Sequence, residues 1–149
     1  MNIIFKKNIY INYTFFKLNP IITENKPGKL VDLNIKNICN HININFNVSK
    51  CFYINDLDSK LSRGNHSNNN ASEILFCLNG SFDIKLTNQN CSETLSININ
   101  EGIFIDKNIW IEFYNFKDCV ILAFVDIEYN DIKDSCYDFQ QYINNFNNK

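Results

Sequence analysis

Apolar and polar residues alternate along much of this chain, with a period close to two. In the segment that starts at residue 73, Ile74 and Phe76 are separated by single residues, and Phe82 and Ile84 repeat the pattern further on. Successive side chains on a β-strand point to opposite faces, so this alternation predicts strands rather than helices.

The two alternating segments are separated by Asn79 and Gly80. Both residue types tolerate positive φ, which a two-residue hairpin turn needs at its two central positions. The sequence therefore predicts a tight hairpin at this dipeptide.

Further short strands are predicted on both sides of this hairpin. Downstream they cover residues 93–99, 103–105, 109–116 and 119–127, with polar turns at 87–90 and 100–102. The segment 119–127 is apolar enough to be buried on both faces. Upstream, residues 8–17, 29–35, 41–47 and 51–54 are predicted as less regular strands. Many short strands separated by turns are typical of a β-sandwich or barrel.

Only the tail, residues 134–148, has a helical pattern. Its apolar residues recur every three or four positions: Cys136, Phe139, Tyr142, Ile143 and Phe146. This spacing predicts an amphipathic helix, with Asp134 or Ser135 as its N-cap. We expect the helix to pack on the sheet; the alternative is a helix that binds a partner.

Composition favours one globular domain covering residues 1–149. Hydrophobic residues make up 45% of the chain, and the net charge of −2 gives no electrostatic reason to expect binding to nucleic acid or membranes. The first residues have neither the apolar length of a membrane span nor the pattern of a signal peptide, so we expect a cytoplasmic protein. The six cysteines lack the spacing of a zinc site, and we expect most to be reduced thiols in the core: Cys39, Cys51, Cys77, Cys91, Cys119 and Cys136.

A series of short motifs runs through the second half of the chain. They are RGNH from Arg63, ILFCLNGS from Ile74, GIFI from Gly102, Trp110, YNF from Tyr114, VILA from Val120, and Tyr129. In order and spacing they resemble the dTDP-4-keto-6-deoxyglucose 3,4-ketoisomerases, whose pattern reads R-G-x-H-A-H-K, then Q-x-L-x-C-x-x-G-S, then G-x-x-I-P and W. Segments that begin at Pro20, Gly28 and Cys51 resemble the earlier strands of that family.

The resemblance implies an all-β fold, the cupin double-stranded β-helix or jelly roll, with a short C-terminal α-helix. It further implies a homodimer that exchanges strands, a dTDP-linked keto-deoxyhexose as substrate, no cofactor, and a place in the synthesis of deoxyamino sugars for surface glycans.

The chain departs from the family pattern mainly at polar positions. The second histidine of H-A-H is Asn68, and the glutamine before the next strand is Glu73. Three further positions also differ: the lysine after H-A-H is Asn69, the proline before the tryptophan is Asp106, and the polar residue after it is Ile111.

Moving a carbonyl from C4 to C3 of a hexose requires removal of the proton on C3, an enediol intermediate, and return of a proton at C4. This needs a base with a pKa near neutrality and donors for the developing oxyanion. Histidine meets the first need, and the resemblance implies that His66 is the proton carrier. Asn68, in the partner position, can donate to a sugar oxygen but cannot shuttle a proton.

The resemblance also implies roles for five other residues. Tyr53 would supply a catalytic phenol near the hexose, and Arg63 would bind phosphate or fix the loop predicted at residues 65–71. Trp110, Tyr114 and Glu73 would contact the substrate. The alternatives are structural: a solvated His66, a salt bridge for Arg63, and core packing for Tyr53 and Trp110.

Cupins often bind a metal through two histidines and a carboxylate, but this sequence offers only one histidine in the motif. The other, His41, belongs to no ligand pattern and is expected at the surface, so no metal site is expected. Two other functions stay open. One is a cupin that binds a nucleotide sugar or a partner enzyme without turnover; the other is a 3,5-epimerase-type activity.

Overall fold

The computed structural model describes residues 3–128 and 131–147, in which strands predominate over three short helices. The strands are β1 (Ile3–Asn8), β2 (Tyr13–Leu18), β3 (Lys50–Ile54), β4 (Arg63–Asn68), β5 (Glu73–Thr87), β6 (Ser92–Asn98), β7 (Glu101–Ile105), β8 (Trp110–Val125) and β9 (Ser135–Cys136). The helices are α1 (Ile35–Ile42), α2 (Asp131–Asp134) and α3 (Phe139–Asn147). Tyr129 and the side chain of Phe146, both used in the sequence analysis, lie outside the described part.

The strands form two layers that share the long strands β5 and β8. These two pair antiparallel along their whole length, from Glu73 opposite Val125 to Thr87 opposite Trp110. In the first layer, β7, β2 and β1 extend outward from the first half of β5, and β3 pairs with the second half of β8. In the second layer, β6 pairs with the second half of β5, while β4 and then β9 extend from the first half of β8. This two-layered antiparallel arrangement agrees with the predicted all-β class.

The predicted hairpin at Asn79 and Gly80 is wrong, because β5 continues through this dipeptide. The ladder with β8 shifts register three times between Cys77 and Asp83, and Gly80 has a φ of +62°. A β-bulge that bends a strand can need positive φ just as a hairpin turn does, so the local sequence does not distinguish them. Here the irregularities let β5 pass from one layer to the other. The predicted strands at 109–116 and 119–127 likewise form one strand, β8.

The strand predicted at residues 41–47 does not form: α1 covers residues 35–42, and residues 43–47 are neither helix nor strand. The side chain of Asn34 accepts a hydrogen bond from the Asn37 backbone N–H at 3.1 Å, and Asn43 ends the helix with a φ of 56°. Asparagine suits both positions, since it caps helix N-termini and tolerates left-handed backbone. The strand predicted at 29–35 is also absent from the described chain, apart from a bridge between Ile21 and Leu30. The segment at 8–17 is the β1–β2 hairpin instead of one strand.

Helix α1 explains why the predicted strand at 119–127 is apolar on both faces. Ile121, Ala123 and Val125 are buried on its inner face, between the two layers. On its outer face, Leu122 and Phe124 pack in the cluster that contains the buried side chains of α1. The strand is therefore buried on its inner face and partly buried on its outer face, where the sequence predicted burial on both.

The tail is helical only in its second part, and its first residues form β9 against β4. Asp138 caps α3, because its carboxylate accepts a hydrogen bond from the Gln141 backbone N–H at 2.9 Å; the predicted caps Asp134 and Ser135 precede the helix. The Tyr142 hydroxyl is 2.9 Å from the carbonyl oxygens of both Thr87 and Asn108. Burial raises the pKa of Tyr142 to about 12. The helix thus packs on the second layer, as predicted.

Two further expectations concern cysteines and membranes. Four of the six cysteines are buried, two are exposed, and all are free thiols; the exposed pair is Cys51 and Cys91. None of the helices in the described residues is both long enough and apolar enough to span a membrane.

Candidate active site

A cavity of about 460 Å³ opens between the two layers. Apolar side chains form much of its wall, and most of its polar lining residues come from β4 and β5. Its lining residues are Phe52, Ile54, Ser62, Arg63, Gly64, Asn65, His66, Glu73, Leu75, Phe113, Ile121, Val125 and Tyr137. An apolar pocket of this size with a few polar groups is typical of a small-molecule site.

Strand β4 positions His66, although the sequence predicted a loop from residue 65. The strand pairs with β8, and its register shifts between Gly64 and His66. Gly64 and Asn65 both have positive φ, at +84° and +51°. In a regular strand, residues three positions apart face opposite sides, but an extra residue in a bulge reverses this relation. Both Arg63 and His66 therefore line the cavity.

The His66 imidazole lies against Tyr137, which follows β9. The two ring centroids are 5.6 Å apart, and the ring planes make an angle of 34°. His66 is only partly buried, and Tyr137 is mostly exposed. The histidine is therefore at the wall of the cavity, within reach of a bound molecule.

Glu73 lies at the start of β5, on the face that points between the layers. The Asn68 amide donates a hydrogen bond of 2.5 Å to its Oε1, and Asn68 itself is buried. Burial raises the pKa of the Glu73 carboxyl above its usual range, while the nearby His66 and the hydrogen bond from Asn68 act in the opposite direction. A buried carboxyl of this kind can hold a proton at pH values where an exposed glutamate is ionised.

Three other predicted site residues do not reach this cavity. Tyr53 lies between two lining residues of β3, so strand alternation points it to the other face, where it is 67% exposed instead of packed in the core. Trp110 is buried against Tyr142 and Phe139 of α3. The Tyr114 hydroxyl donates a hydrogen bond to the Thr94 side chain at 3.2 Å. The geometry thus gives Trp110 a packing role and places Tyr53 and Tyr114 away from the cavity.

Sequence reasoning missed Tyr137 and the apolar wall of the cavity. Tyr137 was assigned to the predicted helical tail, and no local motif marks it. Phe52, Leu75 and Phe113 were recognised only as strand residues, because the sequence does not show which strand faces enclose the cavity. His41 is exposed in the last turn of α1 and does not line the cavity. In the described residues, no group of three or more His, Cys, Asp or Glu side chains could hold a metal ion.

Comparison with known proteins identifies the family. The family model FdtA, described as WxcM-like, C-terminal, matches residues 11–147. The chain belongs to this FdtA family. A curated relative from Aneurinibacillus thermoaerophilus, a TDP-4-oxo-6-deoxy-alpha-D-glucose-3,4-oxoisomerase, is 30% identical over 108 residues, which are 71% of this chain and 72% of the relative.

Solved structures of similar proteins agree with this assignment. WlaRA, a TDP-fucose-3,4-ketoisomerase from Campylobacter jejuni, is 31% identical with a TM-score of 0.72, covering 92% of this chain and 97% of that one. A His-to-Asn variant of the 3,4-ketoisomerase QdtA from Thermoanaerobacterium thermosaccharolyticum, in complex with TDP-4-keto-6-deoxyglucose, is 25% identical with a TM-score of 0.78, covering 92% and 95%. The predicted cupin jelly roll and the predicted resemblance to sugar 3,4-ketoisomerases are both confirmed.

Proposed function

We propose that this FdtA-family protein is a dTDP-4-keto-6-deoxyhexose 3,4-ketoisomerase that acts without a cofactor. The observation that carries the proposal is the cavity that both His66 and Glu73 line, close enough for the two side chains to interact electrostatically. Its volume of about 460 Å³ lies in the range of small-molecule sites. Relatives that cover most of the chain act on TDP-linked deoxysugars, which supports this class of substrate.

Three residues supply the parts that the reaction requires. His66 would remove the proton from C3 of the sugar, because imidazole is a base near neutral pH. Arg63, exposed at the cavity, would contact the diphosphate through its guanidinium group. The buried amide of Asn68 would hold the Glu73 carboxyl, to which it donates a hydrogen bond, in position to contact the sugar. The apolar wall would exclude water from the enediol.

Incubation of the purified protein with dTDP-4-keto-6-deoxyglucose is expected to yield the 3-keto isomer, observed by NMR. In deuterated water, the 3-keto product should carry solvent deuterium at C4, and 4-keto substrate re-formed by the reverse reaction should carry it at C3, because each of these carbons receives a proton in one direction. No conversion at high enzyme concentration would contradict the proposal, and deuterium at C3 and C5 would instead identify a 3,5-epimerase-type activity.

A binding protein without turnover is the second candidate, because Asn68 stands where the family pattern has a histidine. The QdtA variant with a histidine changed to asparagine still forms a complex with the keto sugar, so this kind of exchange is compatible with binding in that relative. Calorimetric binding of TDP by a protein that converts no substrate would favour this function.

We further propose that the protein is a homodimer that exchanges strands and that it works in the cytoplasm without a nucleic-acid or membrane partner. The edge strand β1 supports the dimer, because Ile4 and Phe5 on it are 67% and 47% exposed. Apolar side chains on an unpaired edge favour pairing with a second chain. Light scattering is expected to give twice the mass of one chain, whereas a monomer at micromolar concentration would contradict the dimer.

A further inference from the structure

Two departures from the family pattern meet in space. Where the pattern has a histidine and a glutamine, this chain has Asn68 and Glu73. The structure joins these two positions directly: the amide of Asn68, the last residue of β4, donates a hydrogen bond of 2.5 Å to the carboxyl of Glu73, the first residue of β5. The family pair, histidine and glutamine, and the pair in this chain, asparagine and glutamate, each combine one titratable side chain with one amide. The titratable side chain is at position 68 in the family pattern and at position 73 in this chain.

Of the two residues, Glu73 is the one that lines the cavity with His66. Asn68 is 3% exposed and lies behind it, with the Ser135 hydroxyl 3.4 Å from its Oδ1. The amide therefore holds one carboxyl oxygen of Glu73 and orients the group at the cavity wall. Asn68 is a positioning residue in this arrangement.

We propose that Glu73 is the second proton carrier of this site and takes over the task of the missing second histidine. The inference rests on the proposed ketoisomerase function and deepens it. A carboxyl can give and take a proton during turnover, which an asparagine amide cannot do.

His66 and Glu73 would each give and take one proton during the reaction, so that both side chains recover their starting protonation states. His66 removes the proton from C3, the electron pair of that C–H bond forms the C3–C4 double bond, and protonated Glu73 donates its proton to the C4 oxygen. In the second half, Glu73 takes the proton from the C3 oxygen, the C3 carbonyl forms, and His66 returns its proton to C4. Both side chains end as they began, and no oxidant or reductant is needed.

The charges around Glu73 suit this exchange. Burial, and to a smaller extent the nearby Asp126, raise the pKa of the Glu73 carboxyl and so favour its protonated form, while His66 lowers that pKa. When His66 takes the proton from C3, its new positive charge makes release of the Glu73 proton easier. Arg63 is the other charged side chain that lines the cavity, and it is exposed to solvent. Activity should accordingly fall as pH rises through the pKa of Glu73, which lies above the usual range.

Glu73→Gln keeps the size and the acceptor oxygen of the side chain but removes the proton. We expect kcat to fall about 100-fold, with KM changed little. The remaining activity should no longer decrease at high pH, because the variant has no carboxyl to lose its proton. The double variant Asn68→His/Glu73→Gln restores both residues of the family pattern and should recover most of the lost kcat. Kinetics of the wild type and both variants over a range of pH measure this, with thermal unfolding to verify folding.

The results separate this inference from the proposed function. If the wild type converts no substrate, the proposed function fails. If the wild type is active and folded Glu73→Gln keeps kcat within about threefold, or keeps the same pH profile, only the inference is overturned. A folded double variant as slow as Glu73→Gln also overturns it. If Glu73→Gln does not fold, carboxyl NMR of the wild type decides: titration of Glu73 above the usual range supports the inference, and titration in the usual range overturns it.

Discussion

His66→Gln is expected to reduce kcat for ketoisomerisation at least about a thousandfold. Glutamine can donate and accept hydrogen bonds in the same region, but it cannot carry a proton at neutral pH. Because His66 is only partly buried and its closest aromatic neighbour is the exposed Tyr137, the exchange should leave the fold intact. Binding of TDP, which lacks the reacting sugar, should change little.

The chain provides a matched control for this variant in its second histidine. His41 is exposed on α1 and does not line the cavity, so His41→Gln should keep kcat within about twofold of the wild type. The kcat of each variant is measured by NMR with dTDP-4-keto-6-deoxyglucose, and its affinity for TDP is measured by calorimetry. An active, folded His66→Gln protein would remove His66 from the mechanism.

Gly80→Ala is expected to lower the free energy of unfolding by more than about 3 kcal/mol. Positive φ alone costs an alanine about 1–2 kcal/mol. In addition, a Cβ at Gly80 would lie 1.8 Å from the Lys117 carbonyl oxygen and 2.6 Å from that of Asp118. These are backbone atoms of β8, so the bulge would have to open and the β5–β8 ladder would be disturbed where it bends between the layers.

Gly28→Ala isolates the backbone part of this effect. Gly28 has a φ of +87°, but a Cβ there would meet nothing within 4 Å. This variant should lose only about 1–2 kcal/mol. Urea unfolding of the three proteins compares the two losses. Equal destabilisation by the two substitutions would show that the contact with β8 is unimportant at Gly80.

The sequence predicted the strands of the second half better than those of the first. Alternation of apolar residues identified the segments that became β5, β6 and β8, because each has one face in the core. In the first half, α1 spans only eight residues, and its apolar side chains are too few to distinguish helix from strand. Its asparagine caps were the available signal, but asparagine is so frequent in this chain that the caps did not stand out.

The candidate site was predicted only in part. The family resemblance selected His66, Arg63, Glu73 and Asn68, and the structure brings these together around or behind one cavity. It does not bring Tyr53 there, because strand alternation directs that side chain outward. Trp110 and Tyr114 were motif positions whose contacts are with α3 and β6, which no local pattern reveals.

By itself, the sequence determined the all-β class, the family resemblance and the fact that the motif holds one histidine instead of two, because periodicity and residue identity are local properties. Only the tertiary structure decided that β5 bends at Gly80 instead of turning back, and that Glu73 faces inward beside His66 with Asn68 as its support. The physical reason is that a bulge reverses which face a side chain occupies, and burial sets whether a carboxyl keeps its proton; both depend on strands that are distant in the chain.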